Sequence, residues 1–328
     1  MRLDETTVPI IDLAPARTGS PVDRAAVVDA VRQACERVGF LVITGHGVDE
    51  SDVDALLDAA RDFFAQPLET KLRAHHDEVY RGYTASEASA LAASIGEETP
   101  PDLCELYTVN RFDDREEALR SGLIEGREGF FAPNIWPDDL PAVRPAFERY
   151  YGVMEELAGQ LMGLFASALD LPEDWFEDKI RHHITNLTCQ HYPAQDHPPV
   201  PGQLRRGAHT DWGSLTILRT TGEPGLQVRL DEEWHDVPHV PGSFVVNLGD
   251  LMAAWTNDRW VSTMHRVVNP ATAEASTDRS SIAFFHQPTY DAVIECIPTC
   301  LGEGEEPRHD PTTSGEWILA KIRSSMGY

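Results

Sequence analysis

Apolar residues recur along this chain at two different periods, and the change falls near residue 183. Before it the spacing is helical. Val27, Val31, Ala34, Cys35 and Val38 predict one helix, which Gly39 stops. Phe40 to Thr44 is a β-branched, apolar run that predicts a buried strand ending at Gly45-His46-Gly47. A second helix follows, with Ser51 or Asp52 as N-cap and Val53, Leu56, Leu57, Ala60, Phe63 and Phe64 on one face. Residues 80–102 predict a loop, punctuated by Gly82 and Pro100-Pro101. From Ala142 to Leu169 the pattern predicts a long amphipathic helix.

After residue 183 the runs are short and separated by turn residues. Leu187 to Tyr192, Leu215 to Thr220, Leu226 to Leu230, Ser243 to Leu248, His265 to Val268 and Ser280 to Phe285 read as strands. Strands at this spacing predict a sandwich or barrel such as a jelly roll. Residues 302–313 predict an exposed loop, and Glu316 to Ser325 a closing helix. With 328 residues and no internal repeat, the expectation is a single domain. It divides into a mostly helical region with a few strands (1–182), a β core (183–290) and a C-terminal loop and helix (291–328).

Charge narrows the partners. Lys and Arg total 27 against 54 Asp and Glu, a formal charge of −27. Such a surface repels phosphate backbones and anionic headgroups, so a small-molecule partner is expected rather than nucleic acid or membrane. The first residues carry acids and no long apolar stretch, and no run approaches the roughly 18 apolar residues of a membrane helix. The five cysteines are odd in number, and Cys296-x-x-x-Cys300 lacks a second pair to complete a zinc set. Reduced thiols in a cytoplasmic protein are the expectation.

The chemistry starts at His209-Thr210-Asp211. Two residues apart on an extended strand, an imidazole and a carboxylate face one side and can share an ion. The spacing alone is weak, since His75-x-Asp77 has it too, in a polar stretch without β pattern. His265, inside the β-like Met264 to Val268, is a candidate third ligand; its alternative reading is a buried strand residue with a satisfied ring. Two histidines and one carboxylate leave three octahedral positions open, which suits iron(II). Zinc more often closes to four ligands. Arg279 and Ser281 also share a strand face, and a guanidinium beside a hydroxyl clamps a carboxylate. The alternative is an Arg paired with one of the many acids. Arg323-x-Ser325 repeats the spacing in a helix, where the two do not share a face.

Taken together, these motifs resemble the isopenicillin N synthase-like branch of the 2-oxoglutarate and iron(II)-dependent dioxygenases. The resemblance runs nearly end to end. Pro9 to Leu13, Gly39 to Val48, Phe63-Phe64 with Pro67 and Lys71, Val246 to Asp250 and Trp255-Thr256-Asn257 all carry it. So does the order His-x-Asp, His-Arg-Val, Arg-x-Ser. The resemblance implies a double-stranded β-helix, a distorted jelly roll mainly of β structure, backed by N-terminal helices. It implies that His209, Asp211 and His265 bind Fe(II) and that Arg279 and Ser281 grip the far carboxylate of 2-oxoglutarate. Tyr192, within Gln190-His191-Tyr192-Pro193, matches a family tyrosine that touches the same carboxylate, with Gln190 where the family more often has Asn. His191 is expected to point the other way. The resemblance further implies that dioxygen and 2-oxoglutarate are consumed, that succinate and carbon dioxide are released, and that a small molecule is oxidised by hydroxylation, desaturation or cyclisation. The expected setting is secondary metabolism, antibiotic biosynthesis included.

Phe285, Trp212, Tyr83 and Leu106 are candidates for the substrate pocket, with core packing as the alternative for each. Tyr80-Arg81-Gly82-Tyr83 is a candidate lid edge hinged at Gly82. Three rival functions stand beside the main one. An iron oxidase of the same branch uses the clamp for its substrate's own carboxylate and no 2-oxoglutarate. An ethylene-forming enzyme acts on 2-oxoglutarate itself. A non-catalytic jelly roll merely binds a small molecule, and needs neither triad nor clamp.

Overall fold

The computed structural model describes residues 7–76, 81–88, 90–113, 115–120, 130–195, 198–270 and 277–326. Its helical part begins with Pro21–Arg37, where Ser20 and Asp23 form a reciprocal capping box and Pro21 opens the first turn. The next helix, Glu50–Phe64, is capped by Asp49 rather than by Ser51 or Asp52. The Asp49 carboxylate accepts from both the backbone N–H and the hydroxyl of Ser51, so Ser51 serves the cap instead of being it. The long helix runs Val143–Ala168 and buries Phe147, Tyr150, Met154, Leu157, Leu161 and Phe165.

Among the described residues, twelve strands build the two main sheets. They are β1 (Ile10–Asp12), β2 (Phe40–Thr44), β3 (Gly82–Thr84), β4 (Glu105–Asn110), β5 (Asn186–Tyr192) and β6 (Arg206–His209), then β7 (Leu215–Thr220), β8 (Leu226–Leu230), β9 (Glu233–Asp236), β10 (Phe244–Leu248), β11 (His265–Val267) and β12 (Arg279–His286). The large sheet has the order β1-β2-β10-β7-β12-β5-β4-β3, and the small one β6-β11-β8-β9. Thr312–Thr313 pairs with Val293–Ile294, so the segment expected to be an open loop ends in a short strand.

Alternation along the strands sorts side chains between two layers. Leu187, Ile217, Phe244, Val246, Ile282 and Phe284 face the helices, where they join Val31, Phe63, Phe147 and Phe165 in the main apolar core. Phe40, Val42, Val245 and Tyr192 face the other way and meet Leu226, Val228 and Val267 of the small sheet. The space between the sheets is the jelly-roll interior. A third cluster, with Phe112, Phe130, Phe131 and Tyr290, lies under the C-terminal helix Ser314–Met326 through Ile318 and Ile322.

Residues 80–102 are not simply a loop. Gly82–Thr84 is an edge strand paired with β4, and Leu91–Ile95 is a 3-10 turn. Gly82 has φ +76°, and a Cβ there would lie 1.9 Å from the Ala74 carbonyl oxygen. The glycine is required by that close approach of two backbones, not by a hinge.

Candidate metal and carboxylate site

His209 is the last residue of β6 and His265 the first of β11, and the two strands pair at these positions. Asp211 lies beyond the end of β6, so the shared-face argument from an extended strand does not hold for it literally. The carboxylate nevertheless reaches both histidines. One ligand atom from each of His209, Asp211 and His265 lies within 4.8 Å of the others, and all three residues are buried. The Asp211 Oδ1 is 3.7 Å from the Nε2 atoms of both histidines.

Neighbouring groups set each ligand's orientation. His209 Nδ1 lies 2.8 Å from the Gly207 carbonyl oxygen and His265 Nδ1 3.1 Å from that of Thr263. Donation at Nδ1 leaves the Nε2 lone pairs facing inward, the tautomer that ligates metal. Burial first, then His265 and Arg206, hold the His209 pKa well below that of a free imidazole, which favours the neutral ligand form. The Asp211 Oδ2 accepts from Thr216 Oγ1 at 2.5 Å and Asn247 Nδ2 at 2.7 Å, leaving Oδ1 toward the histidines. Asp250 N donates to the Asp211 carbonyl at 2.7 Å. That approach depends on Gly249, where a Cβ would lie 2.3 Å from Gly213 O and 2.9 Å from Asp211 O.

Asp250 is a junction. Its carboxylate accepts from Thr210 Oγ1 at 3.2 Å, Ser262 Oγ at 2.7 Å and Lys321 Nζ at 2.5 Å. It thereby ties the ligand loop and the approach to His265 to the C-terminal helix.

Between the sheets also lie the residues expected to form a carboxylate clamp. Arg279 pairs with Tyr192 and Ser281 with Gln190 across β12 and β5, so all four side chains share the interior face. Arg279 is 1% exposed, yet its Nη1 has no hydrogen-bond partner among the described residues. Its Nε makes only a long contact, 3.4 Å, to the Glu223 carbonyl, and its guanidinium lies 4.8 Å from the Tyr192 ring centre. A buried cation with an unused donor is costly unless a ligand completes it. Tyr192 donates to Gln190 Oε1 at 2.6 Å. His191 points to the helix side, with Nδ1 2.8 Å from Glu105 Oε1 and its ring stacked on Phe64.

The four pocket candidates separate by strand parity. Phe285 and Leu106 are on the interior face, in register with Asn186 and Gln190 respectively. Tyr83 is not: its ring is buried against Phe63 in the helix-side core, and its hydroxyl donates to Glu105 Oε2 at 2.6 Å. Trp212 packs with the cluster under the C-terminal helix, and its carbonyl accepts from Trp317 Nε1 at 3.0 Å. Of the candidate lid edge, Tyr80 lies outside the described residues, while Gly82 and Tyr83 belong to the sheet. Asp77 of the decoy His75-x-Asp77 is also outside them.

Thr216 and Asn186 carry no role in the motif reading, Asn247 and Asp250 enter it only within the segment Val246 to Asp250, and Arg81 only in the candidate lid edge. Polar residues at inward positions of otherwise apolar strands are the signal that marks Thr216, Asn247 and Asn186. A cavity of about 340 Å³ lies against the small sheet, lined by Arg229, Trp234 and Arg266 and reaching Ala208 and Met264 beside the histidines. Arg266 alternates with His265, so this cavity abuts the site from the opposite face of β11.

Two family models match the chain. Residues 8–139 match the N-terminal part of a non-haem dioxygenase in morphine synthesis, and residues 183–288 match the 2OG-Fe(II) oxygenase superfamily. A 2-oxoglutarate-Fe(II) type oxidoreductase of Emericella nidulans is 34% identical over 98% of this chain and 91% of its own length. The validamycin A dioxygenase of Streptomyces hygroscopicus subsp. limoneus is 31% identical over 96% of this chain and 86% of its own. Among solved structures, full-length Neurospora crassa T7H in complex with alpha-KG and thymine superposes with a TM-score of 0.84. It is 27% identical and covers 100% of this chain and 99% of that one.

Proposed function

This chain belongs to the 2OG-Fe(II) oxygenase superfamily, and we propose from that premise which residues do its work. It is a non-haem oxygenase that depends on iron(II), 2-oxoglutarate and dioxygen and oxidises a small molecule. His209, Asp211 and His265 hold the iron, and Arg279, Ser281, Tyr192 and Gln190 seat the far carboxylate of 2-oxoglutarate. The observation that carries this assignment is the unpartnered Nη1 of the buried Arg279, beneath a buried triad with inward-facing Nε2 atoms.

Iron with 2-oxoglutarate and dioxygen supplies an oxidative decarboxylation to succinate and carbon dioxide that drives oxidation of the substrate. The protein's own residues supply orientation. Thr216 and Asn247 fix the Asp211 carboxylate so that one oxygen remains for the metal. Backbone carbonyls of Gly207 and Thr263 fix the histidine rings. Arg279 supplies charge and a planar fork at the far end, and the enclosing apolar residues of both sheets exclude water. Phe285 and Leu106 serve the substrate side as interior walls. We read residues 1–182, 183–290 and 291–328 as one catalytic unit in the cytoplasm. Secondary metabolism, antibiotic assembly included, is its setting, a reading supported by the similarity to a validamycin A dioxygenase.

Anaerobic iron(II) with 2-oxoglutarate is expected to give a weak visible charge-transfer band that a His209→Ala variant lacks. Under turnover, succinate is expected in stoichiometric amount. Turnover without succinate would place a substrate carboxylate in the clamp and overturn the assignment of Arg279 and Ser281.

A further inference from the structure

Strand register places one cross-sheet row of side chains at the level of the metal ligands. It runs Phe40, Asn247, Thr216, Phe285, Asn186, Asn110 across β2, β10, β7, β12, β5 and β4. All six residues share the interior face. At one end Asn247 and Thr216 hold Asp211, and the Phe40 ring stands edge-on to His265 at 5.2 Å. Phe40, Asn247, Thr216 and Asn110 are buried, from 1% to 4% exposed. Phe285 and Asn186, side by side in the middle of the row, are only partly buried. Within a β core, that exposure means open space in front of these two side chains.

The two neighbours offer different chemistry to that space. Phe285 offers an apolar ring. Asn186 offers an amide whose orientation is set from behind: Arg81 Nη1 donates to its Oδ1 at 3.1 Å. Arg81 is itself 5% exposed and anchored through Nη2 to the Phe130 carbonyl. A guanidinium has donors only, so the amide oxygen must face it and the amide nitrogen must face away. The Asn186 Nδ2 donates to nothing among the described residues. Asn110, next in the row, is occupied differently: its Oδ1 accepts from Phe112 N at 2.9 Å and its Nδ2 contacts the Phe130 carbonyl.

We propose that Asn186 is a specificity-determining residue that donates from Nδ2 to an acceptor on the substrate, so that this enzyme takes molecules carrying a carbonyl, carboxylate or unprotonated ring nitrogen close to the carbon it oxidises. The inference rests on the metal reading above, because the substrate must approach the ligands at this level. Arg81 acts through Asn186 as a positioning residue. A substrate offering only donors at that point leaves the amide N–H unmatched and binds less well.

The test uses matched probes, the lactam 2-piperidone and the amine piperidine, which is protonated and donor-only at neutral pH. Each is titrated into the anaerobic iron(II) and 2-oxoglutarate complex of the full chain, with binding read from the charge-transfer band. Wild type is expected to prefer the lactam by about tenfold, a difference typical of one matched hydrogen bond. Asn186→Asp keeps an oxygen for Arg81 but removes the N–H donors, so it is expected to fold and to reverse the preference. Asn186→Gln, which keeps the amide, is expected to retain part of the lactam preference. Equal affinity of wild type for both probes, including no affinity for either, overturns the proposal. So does an Asn186→Asp variant that still prefers the lactam. Failure of the metal reading is separate, since it shows as absence of the band in wild type before any probe is added.

Discussion

The two faces of the eight-stranded sheet are made by the same strands and have opposite chemistry. Toward the helices, β5, β7, β10 and β12 present Leu187, Ile217, Phe244, Val246, Ile282 and Phe284, all buried in one continuous apolar core. Toward the small sheet the same strands present Asn186, Gln190, Thr216, Asn247, Arg279 and Ser281 beside the apolar Leu218 and Val245. Burying polar groups weakens a fold unless they are paired. The pairings found serve the site: Thr216 and Asn247 hold Asp211, Tyr192 holds Gln190, and Arg279 keeps a donor in reserve. One face therefore carries stability and the other carries the chemistry. A substitution is expected to disturb one property and leave the other nearly intact.

That separation can be broken most severely at the metal. His209→Ala is expected to reduce succinate formation to background and to abolish iron binding, measured by metal content, while the metal-free protein melts at an unchanged or higher temperature. Phe147→Ala makes the opposite cut. Its ring is fully buried against Tyr107, so truncation is expected to cost about 3–5 kcal/mol in denaturant unfolding, with turnover per folded molecule preserved. Arg279→Met comes next. Loss of a buried charged partner typically costs about 2–5 kcal/mol of binding, so the 2-oxoglutarate dissociation constant is expected to rise at least about thirtyfold. The ligand-free protein should gain stability, because an unpaired buried cation has gone. The smallest effect belongs to Thr216→Val, which deletes one hydrogen bond to Asp211 and is expected to weaken iron binding about tenfold. A Phe147→Ala enzyme with lost iron, or a Thr216→Val enzyme with lost stability and intact iron, would contradict the division.

The helix-side face was legible in the sequence because its apolar residues recur with the period of the element that carries them. The long helix Val143–Ala168 and the strands β5, β7, β8, β10, β11 and β12 lie where the pattern puts them, within a residue or two. Strands at sheet edges were not legible. β3 is three residues and β9 is polar, Glu-Trp-His-Asp, so neither shows an apolar alternation. β9 is held by a tight hairpin with β8, Leu230 opposite Glu233, and β3 by pairing with β4. Parity also separates residues that look alike in sequence: Tyr83 and Leu106 both seemed able to line a pocket, yet they face opposite sides of the sheet. Motif spacing picked out His209, Asp211 and His265, which the fold brings together, with Asp211 two residues past the end of β6. Of what supports them, Thr216 lies five residues past Asp211 but in another strand, while Asn247 and Asp250 are distant in sequence, and motif spacing gives no measure of such contacts.

The junction at Asp250 has a practical consequence for handling the protein. Lys321, from the final helix, shares one carboxylate with the threonine between two proposed iron ligands and with Ser262 shortly before the third. The helix Ser314–Met326 is thus a strut under the reactive centre. A bulky label attached to the final helix beside Lys321 is expected to load that strut. Preparations labelled there should be compared with unlabelled protein for iron content before any difference in activity is read as a property of the enzyme.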